Sequence, residues 1–228
     1  AYAEDEATWI SELGPPEEEV KPTEEAPVDP NLKYRIKGDA VTITDCDRKV
    51  SGALTIPATI EGKPVTSIGR NAFKRCTNLT SITIPDGVTS IGDFAFGSCK
   101  SLTSVTIPDS VTSIGSGYGI GNAFDGCTSL TSITIGNGVT SIDHSTFAGC
   151  TSLASITIPE GVTSIGTNAF NGCKNLTAVT FLGDAPKLSN LAWSIFHNAT
   201  PAIYRKPEAK GWGDTFAGRP VKLISEKP

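Results

Sequence analysis

Five cysteines recur along the chain at nearly constant intervals, and this spacing constrains the fold more than any other feature. The intervals are 23, 28, 23 and 23 residues, between Cys76, Cys99, Cys127, Cys150 and Cys173. Each interval repeats one order of residues: Cys-x-x-Leu-x-x-Ile-x-Ile, a turn, Val-x-x-Ile, and a Phe near the end. A unit of this size cannot bury an apolar face by itself, so successive units must stack on one another. The spacing therefore predicts an elongated repeat domain.

Within each unit, the pattern predicts a half-buried strand, a turn and a returning segment. In the first full unit Ile82 and Ile84 alternate with Ser81 and Thr83, which is the two-residue period of a strand with one face in the core. A Pro-Asp-Gly turn follows, and the apolar residues of the returning side are Val88, Ile91, Ala95 and Phe96. Repeats of roughly 20 to 29 residues with an L-x-x-L-x-L core are typical of leucine-rich-repeat solenoids, so the predicted fold class is mainly β.

The units resemble the bacterial surface leucine-rich repeats of the BspA type, also called the Treponema pallidum type. The resemblance rests on "LTSITIP" (79–85), "VTSIG" (88–92) and "AFGSC" (95–99), and it continues to "NAFNGC" (168–173). It implies an exported protein that attaches to host proteins or to other cells. The unit with "IGNG" (135–138) departs from its siblings, which have Pro at the second position of this turn.

Six repeat strands are expected, and they define a solenoid over residues 54–182. They begin near Leu54, Leu79, Leu102, Leu130, Leu153 and Leu176. At about 4.8 Å per strand the sheet forms a short arc of roughly 25 to 30 Å. Both ends of such a stack expose apolar core, so we expect β-rich caps over residues 31–53 and 183–228.

Each cap has its own sequence signal. Residues 33–46 alternate in the manner of a hairpin, which would close the N-terminal end. Near the C-terminus, Tyr204, Trp212 and Phe216 are expected to cover the last repeat, with ligand binding as the alternative.

Residues 1–30 form an acidic, Pro- and Glu-rich tail or linker. They carry ten acidic side chains and one basic side chain, Lys21, whereas the whole chain has a net charge of −5. Within this tail Trp9, Ile10 and Leu13 fall within one helical turn of each other. The tail is therefore either a solvated spacer or a docking segment with these three residues as its anchor.

The first residues suggest export. The opening "AYAEDEA" has the small-residue character found after a signal-peptidase cut, and the sequence contains no Met. We therefore expect a mature chain whose signal peptide has been removed, located at the cell surface or outside the cell, or in a periplasm or an equivalent lumen. No apolar run approaches the roughly 20 residues of a spanning helix, so membrane insertion is not expected.

The cysteines are expected to be free, buried thiols rather than disulfides. Five of the six occupy one repeat position, and side chains at the same position of parallel, in-register strands point the same way. Cys46 lies outside this row, has no obvious partner, and its role is left open. No Cys-x-x-Cys spacing occurs, which argues against a structural zinc site.

No arrangement of residues indicates catalysis, a cofactor or a metal. Asp143, His144 and Ser145 are triad residue types, but a triad is assembled in space rather than by adjacency, so His144 is interpreted as an exposed loop residue. The "GSGYGIG" stretch (115–121) fits no phosphate-binding motif and is explained by the longer 28-residue unit. The single carboxylates in successive turns serve turn geometry rather than calcium binding.

What remains is a neutral surface of outward-pointing hydroxyls. It comprises two rows: Ser81, Ser104, Ser132 and Ser155, and Thr83, Thr106, Thr134, Thr157 and Thr180. Such a face suits a protein or glycan partner. Nucleic acid is not expected, because the only basic cluster, Arg70, Lys74 and Arg75, is compact and lacks interleaved aromatics.

Two functions follow from these features. The first is a non-catalytic interaction or adhesion module that binds through the solenoid face. The second is an accessory structural subunit of a larger assembly, held by its acidic tail.

Overall fold

Successive units wind into coils that stack as the repeat spacing predicts. The computed structural model describes residues 27–115, 122–188 and 191–226, and these residues form a β-solenoid of about seven turns. The strands in chain order are β1 (Leu32–Lys37), β2 (Ala40–Cys46), β3 (Ser51–Thr55), β4 (Thr59–Ile60), β5 (Lys63–Ile68), β6 (Asn78–Thr83), β7 (Ser90–Ile91), β8 (Ser104–Thr106), β9 (Ser113–Ile114), β10 (Ser132–Thr134), β11 (Ser141–Ile142), β12 (Ser155–Ile158), β13 (Ser164–Ile165), β14 (Ala178–Phe181), β15 (Lys187–Leu188), β16 (Ala202–Arg205), β17 (Thr215–Phe216) and β18 (Arg219–Leu223). Two short 3-10 helices, Ala192–Ser194 and Ile224–Glu226, are the helical elements of these ranges.

Each coil contributes one strand to a front ladder and one to a rear ladder. The front ladder contains β3, β6, β8 and β10 in one parallel sheet, and β12, β14, β16 and β18 in another. The rear ladder contains β5, β7 and β9, which continue from the hairpin strand β2, and then β11, β13 and β15. In both ladders equivalent residues of successive coils lie side by side, for example Ser81 beside Ser104 and Ser67 beside Ser90.

The core runs the length of the stack and consists of repeated rows. Six phenylalanine rings lie nearly parallel, with centroids 5.1 to 5.7 Å apart: Phe73, Phe96, Phe124, Phe147, Phe170 and Phe196. The Leu, Ile, Val and Cys positions of the repeat are buried beside them. The coils of the repeat consensus therefore pack on their neighbours through the same residue types, as the sequence predicted.

Both ends of the stack are closed by elements that the sequence indicated. Strands β1 and β2 form the expected antiparallel hairpin, and β2 pairs in parallel with β5. At the other end the rings of Trp212 and Phe216 lie 5.0 and 5.2 Å from that of Phe181, so these aromatics pack against the end of the last repeat.

The front ladder continues further than the repeat consensus indicated. Strands β16 and β18 lie within the predicted C-terminal cap, yet they pair in parallel with the strands before them. The intervening coil has neither the Leu nor the Cys of the consensus, and it keeps its place through Phe196, which stacks on Phe170. The boundary at residue 182 is thus a change in sequence rather than an end of the sheet.

The stack has one discontinuity, at the coil of residues 130–150. In this coil β10 pairs with β8 of the preceding coil, while β11 pairs with β13 of the following coil. Among the described strands no pairing joins β10 to β12 or β9 to β11. We call residues 130–150 the seam coil, because its two strands belong to different halves of the molecule.

The third side of the stack remains continuous across the seam coil. Backbone N–H groups of Phe124 and Gly126 donate to Thr146 and Ala148, and that of Phe147 donates to Ala169. The two halves are therefore held together along the phenylalanine stack, while both ladders are interrupted.

Candidate functional site

The predicted hydroxyl rows occupy the outer surface of the front ladder. Thr83, Ser104, Thr106, Ser132, Thr134, Ser155 and Thr157 are exposed, and Ser81 is half-buried. The parallel register places Ser104 beside Ser132 and Thr106 beside Thr134. We call these eight residues the Ser/Thr face.

Thr180 does not belong to this face, and its expected exposure is wrong. Its relative exposure is 6%. The next strand, β16, places Tyr204 directly beside it, and Tyr204 is itself only 5% exposed. The rows of outward hydroxyls therefore end at Thr157, since the C-terminal strands cover the following position.

A cleft interrupts the Ser/Thr face where β10 and β12 are not paired. Its volume is about 360 Å³. The lining residues are Ser132, Ile133, Thr134, Ile135, Asn137, Ser155, Ile156, Thr157, Pro159 and Leu182. None of them carries a charge, so the cleft presents hydroxyl and amide groups next to aliphatic side chains.

The front ladder lacks one pair of inter-coil hydrogen bonds, and this gap lies at Ala154. In the regular coils a threonine before the front strand donates its N–H and its hydroxyl to the carbonyl one coil earlier, as Thr103 does to Thr80 at 3.0 and 3.1 Å. Thr131 and Thr177 donate in the same way, to Thr103 and Ala154. Ala154 has no hydroxyl, and among the described residues no hydrogen bond joins it to Thr131. The front ladder therefore lacks both bonds at this position.

The turn of the seam coil is drawn closely onto the preceding turn. A Cβ atom at Gly136 would lie 2.3 Å from the carbonyl oxygen of Pro108, a distance that no side chain tolerates. The backbone N–H of Asn137 donates to the carboxylate of Asp109 at 2.7 Å. This close approach explains why the seam coil has Gly where its siblings have Pro. It also leaves Asn137 at the rim of the cleft.

The rear ladder has a matching interruption. Thr89 and Thr112 donate to the carbonyls of Thr66 and Thr89, and Thr163 donates to Thr140. Among the described residues Thr140 makes no such bond to Thr112, although it keeps its hydroxyl. The difference on this side is the longer unit, whose additional residues follow Gly115.

The Asp143, His144 and Ser145 stretch is not assembled as a triad. The ring of His144 is half-buried, which corrects the expected exposure, and its Nδ1 hydrogen-bonds to the hydroxyl of Thr167. Thr167 occupies the equivalent position of the next coil, so stacking alone brings the two together. Asp143 accepts a hydrogen bond from Ser141 at 3.0 Å.

Within the described ranges no three His, Cys, Asp or Glu side chains come together as a metal site would require. No described helix has the length and apolar character needed to cross a membrane. The candidate anchor, Trp9, Ile10 and Leu13, and the Gly117–Gly121 insertion lie outside the described residues.

Sequence reasoning identified the Ser/Thr face but not the cleft within it. Asn137, Ala154 and Pro159 were not among the candidate site residues. One signal pointed to Asn137, since "IGNG" at 135–138 departs from the turn of the sibling units.

The coil geometry, the parallel ladders and the repeat spacing define a leucine-rich-repeat solenoid. The chain belongs to the family described as the BspA type leucine-rich repeat region, whose model matches six copies over residues 66–200. Repeats of this family are generally non-catalytic and typically occur in cell-surface proteins that mediate protein interactions. No functionally curated protein matches the sequence.

Several solved bacterial structures are similar to this chain. A leucine-rich-repeat protein of T. pallidum is 28% identical, with 67% of this chain and 90% of that chain covered and a TM-score of 0.42. A leucine-rich cell surface protein of Faecalibacterium prausnitzii is 29% identical, with 73% and 58% covered and a TM-score of 0.36. A leucine-rich-repeat protein of Eubacterium ventriosum is 22% identical, with 82% and 50% covered and a TM-score of 0.55, which supports the fold. The chain thus spans 58% and 50% of the length of the last two proteins.

Proposed function

We propose that this chain is an exported, non-catalytic interaction module that binds an extended peptide segment of a protein partner. The binding site is the cleft between β10 and β12 on the Ser/Thr face. The observation that carries the proposal is the break in the front ladder, because it opens a neutral, hydroxyl-lined cleft in an otherwise closed surface.

A polypeptide backbone matches the chemistry of this cleft. Each residue of an extended peptide offers one N–H donor and one carbonyl acceptor. The cleft contains hydroxyls that can both donate and accept hydrogen bonds, on Ser132, Thr134, Ser155 and Thr157. The facing backbone edges of β10 and β12 are not paired with each other, and strand edges of this kind recognise extended peptides through main-chain hydrogen bonds.

The aliphatic lining supplies the remaining requirement of a peptide site. Ile133, Ile135 and Leu182 lie at the cleft beside the hydroxyls. A small number of polar groups among apolar residues fixes the orientation of a ligand while apolar contact adds affinity. No aromatic ring lines the cleft, and Trp212 and Phe216 are engaged with Phe181, so the flat stacking surface that would favour a sugar ring is missing from it.

The proposal is tested by selecting ligands and then blocking the cleft. A library of displayed random peptides is selected on the full chain, and bound peptides are measured against two matched double variants. Thr134→Lys with Thr157→Lys places two cations in the cleft. Thr83→Lys with Thr106→Lys makes the same changes at exposed positions of the same row outside it.

We expect the cleft variant to bind selected peptides at least about tenfold more weakly, which corresponds to about 1.4 kcal/mol. The control variant should bind as the unchanged chain does. Equal losses in both variants, or selection of no peptide while a glycan array gives ligands, would contradict the proposal.

The tail-docked subunit remains the second hypothesis, and a truncation separates the two. Removal of residues 1–26 retains Asp29, whose carboxylate accepts the N–H of Asn31 and so supports the start of the folded body. A cleft binder should keep its peptide after this truncation. Loss of a native partner after truncation or after Trp9→Ala with Leu13→Ala, while the cleft variant keeps that partner, would favour the subunit.

A further inference from the structure

Four of the six thiols share one hydrogen-bonding arrangement. The Sγ atoms of Cys99, Cys127, Cys150 and Cys173 each donate to the carbonyl of a phenylalanine one coil earlier, at 3.0 to 3.3 Å. Burial raises the pKa of Cys99 and Cys150, and it raises the pKa of Cys127 and Cys173 to about 12. These four groups therefore stay protonated and unreactive, because the thiolate is the nucleophilic form of cysteine.

Cys46 and Cys76 are arranged differently. The first phenylalanine of the stack, Phe73, lies in the same coil as Cys76, so no phenylalanine carbonyl lies one coil earlier to accept from the Cys76 thiol. Instead both Sγ atoms point at a single backbone oxygen, that of Asp47, at 3.7 and 3.9 Å. The two thiols therefore lie close to each other, and each shifts the pKa of the other. Cys46, which had no partner in the sequence pattern, thus begins the thiol row directly beside Cys76.

The surroundings of this pair lower the pKa of Cys76 and raise that of Cys46. The guanidinium of Arg48 donates to the carbonyl of Cys46 and to the carboxylate of Asp45. The interaction with the Cys46 thiol holds the pKa of Cys76 below its ordinary value against the effect of burial, and the positive charge of Arg48 acts in the same direction. The same interaction, together with burial, raises the pKa of Cys46. Cys76 is therefore the thiol of the pair that loses its proton more readily.

We propose that Cys46 and Cys76 form a disulfide bond when the protein meets a disulfide oxidant such as oxidised glutathione. The Cys76 thiolate attacks one sulfur of the oxidant and releases a first thiolate, which leaves a mixed disulfide on Cys76. Cys46 gives its proton to that leaving thiolate, attacks the Cys76 sulfur and releases the second thiolate, which takes a proton from solvent. Two protein thiols are oxidised and one oxidant disulfide is reduced to two thiols.

A bond between these two cysteines joins the N-terminal cap to the solenoid. Cys46 ends strand β2 of the hairpin cap, and Cys76 closes the first coil beneath it. Both side chains are buried, so the reaction proceeds while the terminal hairpin opens locally or while the chain folds. Once formed, the bond fastens the cap to the solenoid and lowers the conformational entropy of the unfolded chain.

The test is oxidation of the full chain followed by peptide mapping without reductant. The chain is incubated with oxidised glutathione, remaining thiols are alkylated under denaturing conditions, and tryptic peptides are sequenced by mass spectrometry. Cleavage after Arg75 leaves Cys76 and Cys99 together on peptide 76–100, whereas Cys46 lies on peptide 38–48. The experiment is therefore repeated with Cys99→Ser, which assigns the linkage to Cys76 without ambiguity.

We expect a link between peptides 38–48 and 76–100 in the unchanged chain and in the Cys99→Ser variant, and a melting temperature that rises on oxidation in both. Cys76→Ser and Cys46→Ser should abolish the link and the rise, while Cys150→Ser should leave both intact. If Cys46 and Cys76 are recovered alkylated after oxidation, or carry only glutathione, the proposal is overturned. A link between Cys76 and Cys99 would overturn it equally.

Discussion

The seam coil and the longer coil before it, which contains β8 and β9, bury the same residue types, yet their backbones pair differently. In the preceding coil β8 pairs with β6 and β10 on both sides, and β9 pairs with β7. In the seam coil β10 pairs only with β8 and β11 only with β13 among the described strands. Both coils bury the same rows of Leu, Ile, Val, Phe and Cys. The consensus residues therefore specify the core, whereas the pairing of the strands varies between coils that share them.

Two departures from the consensus directly change the contacts between coils. Gly136 allows one turn to lie against the oxygen of Pro108, and Ala154 removes the hydroxyl that would reach Thr131. One change draws the seam coil towards the preceding coil, and the other removes a bond to the following coil. Gly136 follows β10 and Ala154 precedes β12, the two front strands that are not paired with each other.

The largest expected effect separates inward from outward positions in the coil before the seam coil. Ile107 is 1% exposed, so Ile107→Asp places a carboxylate in the core. We expect the free energy of unfolding to fall by about 4 kcal/mol or more, with loss of a cooperative thermal transition. Thr106→Asp, one residue away and exposed, should change it by no more than about 0.5 kcal/mol. Unaltered melting of Ile107→Asp would show that the register of the strand is wrong.

The next effect tests whether the phenylalanine stack really continues across the seam. Phe96 belongs to a regular coil and Phe147 to the seam coil, and both rings are fully buried between two others. Phe96→Ala and Phe147→Ala should each lower the free energy of unfolding by about 3 to 5 kcal/mol, because each leaves a cavity of the same kind. Chemical denaturation measures both values. A loss below about 1 kcal/mol for Phe147→Ala alone would show that the seam coil is loosely packed.

A smaller effect is expected from adding a side chain at Gly136. Gly136→Ala introduces a Cβ atom that meets the oxygen of Pro108, so the turn must shift, at a cost of about 1 to 3 kcal/mol. Gly213→Ala serves as the control, since the nearest atom to its new Cβ is 3.8 Å away. Equal stability of the two variants in urea denaturation would contradict the close approach of the two turns.

The smallest effect concerns the hydrogen bond that is missing between residues 154 and 131. Ala154→Thr supplies the hydroxyl present at the equivalent positions, and we expect the free energy of unfolding to rise by about 0.5 to 1 kcal/mol as the bond to Thr131 forms. Thr177→Ala removes the corresponding bond to Ala154 and should cost a similar amount. If Thr177→Ala is destabilising while Ala154→Thr lowers stability, the hydroxyl is not what keeps the ladder open.

Much of the fold could be predicted from the sequence because its determinants are side chains that recur at a fixed period. The strand positions of Ile82 and Ile84, the hairpin over 33–46 and the row of free thiols all follow from alternation or spacing. The burial of Thr180 could not be predicted in this way, since it depends on Tyr204, which lies outside the consensus.

The cleft was harder to predict because it arises from backbone pairing rather than from a pattern of side chains. The same coil appears regular when only its buried positions are compared. The features that distinguish the strand pairing of the seam coil are a close contact at Gly136, an absent hydroxyl at Ala154 and the longer preceding unit. None of them changes the spacing of the buried apolar residues.

Hydrogen exchange of the full chain with and without a selected peptide shows whether a peptide binds between β10 and β12. In the free protein, amides of β10 and β12 that face the cleft should exchange faster than those of β6 and β8, because exposed backbone hydrogen bonds open more readily. The peptide should slow exchange at residues 132–134 and 155–158 and leave residues 81–83 and 104–106 unchanged. Protection that appears instead at β6 and β8, or equally along the whole ladder, would contradict the account.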